Sequence, residues 1–474
     1  MTAPLAETVT MLFGLLPDLG DQLAQIAGSE TAWSNQSRVD PIGLAVLLVA
    51  GIAQFLAPRK WAVTPMILVA CLVPVGQRIA LGGIDFNFVR LMVLFGWARL
   101  LVRGELKGFR LNALDLALIL WACCTTAIFT AQQGSTGALI NRLGSSYDAV
   151  GGYLFFRVFI RSWSDIARIG ATLAVVSIPV VMFFTVEQFT GRNLFATMGG
   201  VPEETLFRNG RRRAQGAFSH PITAGCFWAA ALPLIASLWW GGRGWRKIAF
   251  VGLIGAFGTI VMCASSTPVA AVGAAAFGAL LFKMRKNLPV VRYSILFLLV
   301  VLHFIREKPV WHLIGRIEIV GGSTGYHRYL LIDNWIRHFG DWFFLGVPDT
   351  TYWGHQMQDV TNQYVLESVR GGFLTFAVFV TGILIAFNYV GKAVRRVEGH
   401  KPRMWLVWGV GVSLFVHTVS FFAVSYFGQI MLMWYLSLAL AACLPGLVAD
   451  TKKAKANTET LGGSVGHSGQ LQHA

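Results

Sequence analysis

The stretch Arg208-Asn-Gly-Arg-Arg-Arg-Ala-Gln-Gly-Ala-Phe-Ser-His220-Pro221 places four arginines, Arg208, Arg211, Arg212 and Arg213, within six residues. A guanidinium stays charged at any working pH and its planar fork pairs bidentately with phosphate oxygens, so this cluster is suited to holding an anion. A second set follows: Arg306, Arg316, Arg328, Arg337 and Arg370, in a segment that also carries His312, His327, His338 and His355. Four histidines in one segment suggest a proton acceptor or a metal. Their spacings of fifteen, eleven and seventeen residues are not the short spacings of a metal site, and no metal or other cofactor is expected.

Both sets interrupt a strongly apolar chain. Its 474 residues are 55% hydrophobic and 13% charged, with a mean hydropathy of +0.59. A soluble domain has about 25% charged residues. Apolar runs of 16 to 22 residues recur along the length, each long enough to cross a bilayer as a helix. The expected fold is all-α, a polytopic membrane helical bundle of about 12–14 spans. Thirteen are placed, over 42–58, 62–76, 86–102, 113–131, 147–161, 166–186, 220–240, 246–264, 267–283, 290–305, 372–391, 404–424 and 427–448. Residues 1–41 form an N-terminal arm without the pattern of a cleavable signal peptide. Within it, Pro4 to Ile26 reads as a helix lying at the membrane surface, with one further span as the alternative. The polar, Gly/Ser-rich tail from Thr451 to Ala474 reads as disordered.

The net charge of +16 has a membrane explanation rather than a nucleic-acid one. Basic residues gather in alternate short connections: Arg59 and Lys60; Arg103, Lys107 and Arg110; Arg243, Arg246 and Lys247; Lys283, Arg285 and Lys286; Lys392 to Arg403; and the tail lysines. Short basic loops mark the cytoplasmic side. With thirteen spans the register is self-consistent, with the N-terminus outside and the C-terminus inside. The six cysteines all fall in spans without metal or disulfide spacing and read as packing residues. No Walker motif, Gly-rich phosphate loop or HExxH is present, which argues against an ATP-driven pump and a zinc protease.

This register puts two long, arginine-bearing connections, Glu187 to Ser219 and about Arg306 to Gly371, on the outer face, where basic residues are normally scarce. An anion at the outer membrane surface, such as a lipid-linked pyrophosphate, would account for them; the tolerance of long loops for charge is the plainer reading. In the first loop Gly216 permits a close backbone approach, and Pro221 suits the first turn of a helix. His220 at the span's mouth reads equally as a donor or as a packing residue. In the second loop the chain reads as helical from Thr361 on, with Glu367 and Arg370 able to share a face. Arg157 and His417 fall in spans and read as structural. Arg90 is a weaker candidate for a lipid phosphate.

These residues resemble those of the bacterial O-antigen ligase and Wzy-type polysaccharide polymerase superfamily, over roughly residues 40–445. Three features carry the resemblance. The first is Arg213-Ala-Gln-Gly-Ala-Phe-Ser-His-Pro221 entering a span, preceded by Glu187 and Thr190-Gly-Arg-Asn193. The second is Arg328 followed eighteen residues later by Gly346-Val347. The third is Asn362, nine residues, Gly372, two residues and Thr375. The family's histidine falls on Thr361, which cannot act as a base near neutral pH; Asp359 and His355 are the substitutes to consider. A second departure is Gly346-Val-Pro348, where the family often has another glycine.

The resemblance implies a metal-independent, inverting glycosyltransferase of the bacterial inner membrane with a GT-C-like fold and a periplasm-facing site. Its donor would be a glycan on undecaprenyl pyrophosphate, and a chain-length regulator protein would be a partner. Arg213 and Arg328 would bind the pyrophosphate, supported by Arg211 and Arg212. Asp359 or His355 would take the acceptor's proton, and Asn362, Tyr364 and His220 would position substrate. Trp335, Trp342 and Trp353 read either as sugar-stacking or as interface-packing residues. The expected activity is polymerisation of lipid-linked repeat units. Ligation of the glycan to lipid A-core is the alternative, followed by a transporter or flippase of an anionic lipid or sugar and a non-catalytic scaffold.

Overall fold

The computed structural model describes residues 37–81, 84–316 and 325–467. The surface helix expected over Pro4 to Ile26 lies outside them. The thirteen apolar segments each contain a helix, in the order α1 (Pro41–Leu56), α2 (Thr64–Leu72), α3 (Phe88–Val102), α4 (Ala113–Gln133), α6 (Gly152–Phe159), α7 (Trp163–Thr190), α8 (Pro221–Ser237), α9 (Arg243–Met262), α10 (Ser266–Leu280), α11 (Leu288–Ile305), α14 (Gln363–Arg396), α15 (Lys401–Ser420) and α16 (Gln429–His467). Helix α5 (Thr136–Ser146) runs through a π-helical turn into α6. Among the described residues, seven helical stretches are long and apolar enough to cross a membrane, one of which, Ser266–Ile305, joins α10 and α11.

Local sequence sets the boundaries. Asp40, Asn87, Asn112, Ser135, Ser162, His220 and Asn362 cap helix N-termini with their side chains, satisfying backbone donors that a helix start leaves free. Gly191 closes α7 in the left-handed conformation. The tail departs from expectation: α16 continues past Thr451 to His467. The run from Lys452 to Ala456 is made of good helix formers, whereas Gly462, Gly463 and Gly466 are not, and local sequence does not explain the helix there.

The connections sort to two ends. At one end Arg59 Nη1 donates to Phe159 O at 2.7 Å, Trp163 Nε1 and Arg403 Nη1 both reach Thr451 Oγ1, and Arg285 and Lys286 flank Glu398. These are the basic turns of the sequence. At the opposite end Val75 N–H bonds Ala217 O, Ala214 N–H bonds Met262 O and Gln363 N–H bonds Phe421 O. Both long arginine-bearing connections therefore lie at one end, away from the short basic turns.

Between the ends, α8 and α16 form the centre. Nearly every residue of α8 is buried. Helices α7 and α9 approach through small residues: a Cβ on Gly252 would lie 2.3 Å from Ala174, and one on Gly255 2.4 Å from Ser177. Such contacts replace the hydrophobic driving force that a lipid surround removes. The six cysteines are free, four of them buried.

The described residues of the segment 306–371, expected as a loop, form a folded cap. It contains α12 (Gly325–Arg337) and α13 (Phe339–Trp342), and Leu331, Trp342, Val347, Trp353, Met357, Val365 and Val369 form its own apolar core. Trp342 and Trp353 are buried there, and Trp335 stacks on Trp342 with ring centroids 5.1 Å apart. All three tryptophans take part in this packing. The last residues of the segment belong to α14, which kinks at Gly372 (φ 63°, ψ −171°). The kink frees Val369 O, which accepts from Val347 N–H at 2.8 Å and from Gln132 Nε2 at 3.1 Å.

Candidate functional site

The arginine cluster lies on a short hairpin of two antiparallel strands, β1 (Leu206–Arg208) and β2 (Arg211–Arg213). Asn209 and Gly210 turn the chain with φ of 51° and 74°, the paired positive values that an Asn-Gly hairpin turn supplies. Side chains alternate across a strand. With Leu206 opposite Arg213, Phe207 opposite Arg212 and Arg208 opposite Arg211, the arginines 208, 211 and 213 share one face and Arg212 takes the other.

Arg213 is 5% exposed, its Nε has no hydrogen-bond partner, and no carboxylate pairs with it among the described residues. Burial pushes its guanidinium down to about 10, and Arg208 adds repulsion. A buried cation without a counter-charge is unfavourable on its own.

The chain beyond Arg213 is held rigidly. The Glu187 carboxylate accepts from Gln215 N–H at 3.0 Å and Gly216 N–H at 2.7 Å. Asn193 Nδ2 donates to Gly216 O at 2.8 Å and Gln429 Nε2 to Ala217 O at 2.7 Å. Gly216 has φ 56°, and a Cβ there would lie 2.3 Å from Phe184. His220 caps α8, its Nδ1 accepting from Ile222 N–H at 3.1 Å. The surrounding protein pushes its imidazole down to about 3, and Arg213 and Arg208 act in the same direction. An Nδ1 that accepts an N–H carries no proton, so the ring's proton is on Nε2.

Arg328 on α12 completes the site. Its Nε donates to Ala423 O and its Nη2 to Thr267 Oγ1, both at 3.0 Å. Those two bonds fasten the cap to the first turn of α10 and to the turn after α15. Burial lowers the Arg328 guanidinium, and Arg208 opposes its charge as well. One arginine, Arg208, thus repels both Arg213 and Arg328 and disfavours charge on His220. The two arginine sets, separate in sequence, share one electrostatic environment.

Asp359 lies at the edge of this site. Its carboxylate enters none of the ion pairs or hydrogen bonds among the described residues. Its side chain is exposed, but the protein around it raises the carboxyl above the usual range, against the opposing pull of His327 and Arg328. His327 Nε2 lies 3.1 Å from Asp359 O.

Several expected site residues have other tasks. Arg212 Nη1 donates to Phe189 O at 2.7 Å and Gln188 O at 3.3 Å, closing the C-terminus of α7. Arg211 is exposed on the site-side face of the hairpin. Asn362 is 2% exposed and caps α14, accepting from Tyr364 and Val365 N–H. Tyr364 bonds Thr418 O at 3.0 Å and packs against Phe421 and Phe422. His355 is exposed and enters none of the described interactions. Arg90 pairs through Nε and Nη2 with both oxygens of Asp148. The motif glycines are structural: a Cβ on Gly346 would lie 2.0 Å from Val369 O, and one on Gly372 2.2 Å from Phe344 O. Among the described residues, no three or more His, Cys, Asp or Glu side chains converge as metal ligands.

Thr267 and His327 escaped assignment from sequence. Thr267 falls inside an apolar run, and of the four histidines in its segment the sequence pointed to His355 rather than His327; adjacency to Arg328 is the signal that could have found it. Neither a family model nor a curated protein matches the chain.

Proposed function

We propose that this chain is a polysaccharide polymerase that joins undecaprenyl-pyrophosphate-linked repeat units at the outer face of a bacterial inner membrane. In this reading it crosses the membrane thirteen times in a GT-C-like arrangement, with the arginine end toward the periplasm. Arg213 and Arg328 bind the donor's pyrophosphate. Arg208 strengthens the positive potential and His220 offers Nε2–H. An acceptor hydroxyl attacks the anomeric carbon with inversion, losing its proton in the corner formed by His327 and Asp359. The lipid pyrophosphate leaves, and the cations stabilise the charge that develops on it more in the transition state than in the ground state.

The observation that carries the reading is Arg213: a buried guanidinium with an unpartnered Nε, beside Arg208 and with no paired carboxylate among the described residues. A dianionic group would supply what the fold withholds. The resemblance in the three motifs supports the donor's identity.

The test is reconstitution of the purified protein with a synthetic undecaprenyl-pyrophosphate repeat unit, followed by gel analysis. A product ladder that Arg328→Ala loses supports polymerisation. A single transfer, seen only when lipid A-core is added, replaces it with ligation. No product with either acceptor, across several repeat units, removes the glycosyltransferase reading.

A further inference from the structure

We propose that His327 Nδ1 is the atom that takes the acceptor hydroxyl's proton, with the Asp359 carboxylate stabilising the imidazolium that forms. This rests on the glycosyl-transfer reading above.

The argument starts from one hydrogen bond. His327 Nε2 is 3.1 Å from the backbone oxygen of Asp359. A carbonyl oxygen can only accept, so Nε2 carries the proton. In the neutral ring Nδ1 then holds the lone pair, and that nitrogen enters none of the hydrogen bonds among the described residues. The fold has fixed the tautomer, as a base that must act repeatedly requires. Asp359 O also accepts from Thr361 N–H at 3.0 Å, so the carbonyl is itself held. His327 immediately precedes Arg328, whose two bonds to Thr267 and Ala423 anchor the helix at this point.

The other described histidines of this end are placed differently. His220 uses Nδ1 as a helix cap. His338 Nδ1 is 2.9 Å from Asp341 Oδ2, and its ring stacks on Trp353. His303 Nδ1 faces Val310 N–H at 3.5 Å, and His312 packs edge-on against Tyr329. His355 stands apart on the surface. Only His327 joins Arg328 and Asp359. An imidazole is also the side chain whose ordinary titration range best matches proton transfer near neutral pH.

The step balances simply. The acceptor O–H bond breaks and its proton goes to Nδ1. The acceptor oxygen forms the new bond to the anomeric carbon, while the bond from that carbon to the pyrophosphate oxygen breaks. The electron pair leaves on the pyrophosphate, and the imidazolium returns its proton to water.

The experiment measures initial rates of product formation against pH in proteoliposomes for wild type, His327→Gln, His327→Ala and Asp359→Asn. The expected result is a kcat lowered by about 10²–10³-fold in both His327 variants with KM within about threefold, and no acidic limb in their pH profiles. Added imidazole should partly restore the alanine variant. In Asp359→Asn kcat should also fall, with KM within about threefold, because the imidazolium that forms loses its neighbouring anion. A His327→Gln enzyme within threefold of wild-type kcat would overturn the assignment while leaving polymerisation intact, whereas an inactive wild type would remove the glycosyl-transfer reading instead. Histidine ¹⁵N NMR, assigned by difference with His327→Gln, reads the tautomer without activity. A proton on Nδ1 rather than Nε2 would also overturn the proposal.

Discussion

The Glu187 carboxylate accepts a hydrogen bond from Gly216 N–H at 2.7 Å across 29 residues of chain, and a second from Gln215 at 3.0 Å. A carboxylate bonded two and three residues beyond the buried Arg213 would be expected to neutralise it. Here its oxygens bond the backbone instead, which fixes the route from Arg213 to α8 and leaves Arg213 without an ion pair among the described residues. Order in the loop and charge in the site come from the same arrangement.

Glu187→Ala should therefore destabilise the protein by about 2–4 kcal/mol, since two buried N–H groups lose a charged acceptor. Glu187→Gln should do less harm, because one acceptor oxygen survives. Gly216→Ala should be at least as damaging as Glu187→Ala: the new Cβ must displace the Phe184 ring at a φ that alanine disfavours. Thermal unfolding in detergent ranks the three.

Arg213→Ala should separate stability from function. Its guanidinium, pushed down to about 10 from 12.5, binds its proton less tightly in the folded chain than in the unfolded one. The penalty is full at neutral pH and is relieved as pH rises through about 10. Replacing it should leave Tm unchanged or raise it, while product formation falls by about 100-fold or more. Arg211→Ala, on the exposed strand position, should stay within about threefold. Adding pyrophosphate should raise the Tm of wild type through binding to the native state, and this gain should vanish in Arg213→Ala. A clearly lowered Tm in that variant would mean that the arginine is structural.

Gly372→Ala tests the kink. Its φ of 63° with ψ −171° is accessible almost only to glycine, and a Cβ would meet Phe344 O at 2.2 Å. The variant should lose more than about 3 kcal/mol, or fail to accumulate, and Gly346→Ala should behave alike because its Cβ meets Val369 O. Expression level and thermal unfolding check both. Normal stability with lost activity would return these glycines to the site.

Helices were legible because apolar runs long enough to span a bilayer have few other solutions, and the basic turns ordered their ends. The site was legible only in part. Arginine chemistry singled out Arg213 and Arg328, but no local pattern says that Arg212 turns to the opposite hairpin face, although Asn209-Gly210 was a readable hairpin signal. Asn362 and Gly372 were read together as a motif beside the site, yet one caps α14 and the other kinks it. A cap and a catalytic amide look alike in sequence; the difference is which backbone donors lie within reach after folding. The cap over 306–371 was hidden for a similar reason: its tryptophans could serve a membrane surface, a sugar or a core, and only long-range packing decides.

The Arg328–Thr267 bond lends itself to a double-mutant cycle. Thr267 Oγ1 accepts from Nη2 at 3.0 Å, while Nε is held separately by Ala423 O. Thr267→Val keeps the shape of the side chain and removes the acceptor. A hydrogen bond to a charged group contributes about 1.5–3 kcal/mol, but the second bond still orients the guanidinium, so the rate should fall by about 10-fold rather than to the level of Arg328→Ala. If Thr267 acts only by aiming Arg328, adding Thr267→Val to Arg328→Ala should change the residual rate by less than about twofold. Independent, multiplicative losses would mean instead that the Thr267 hydroxyl meets the substrate itself, and the coupling energy from the cycle decides between the two.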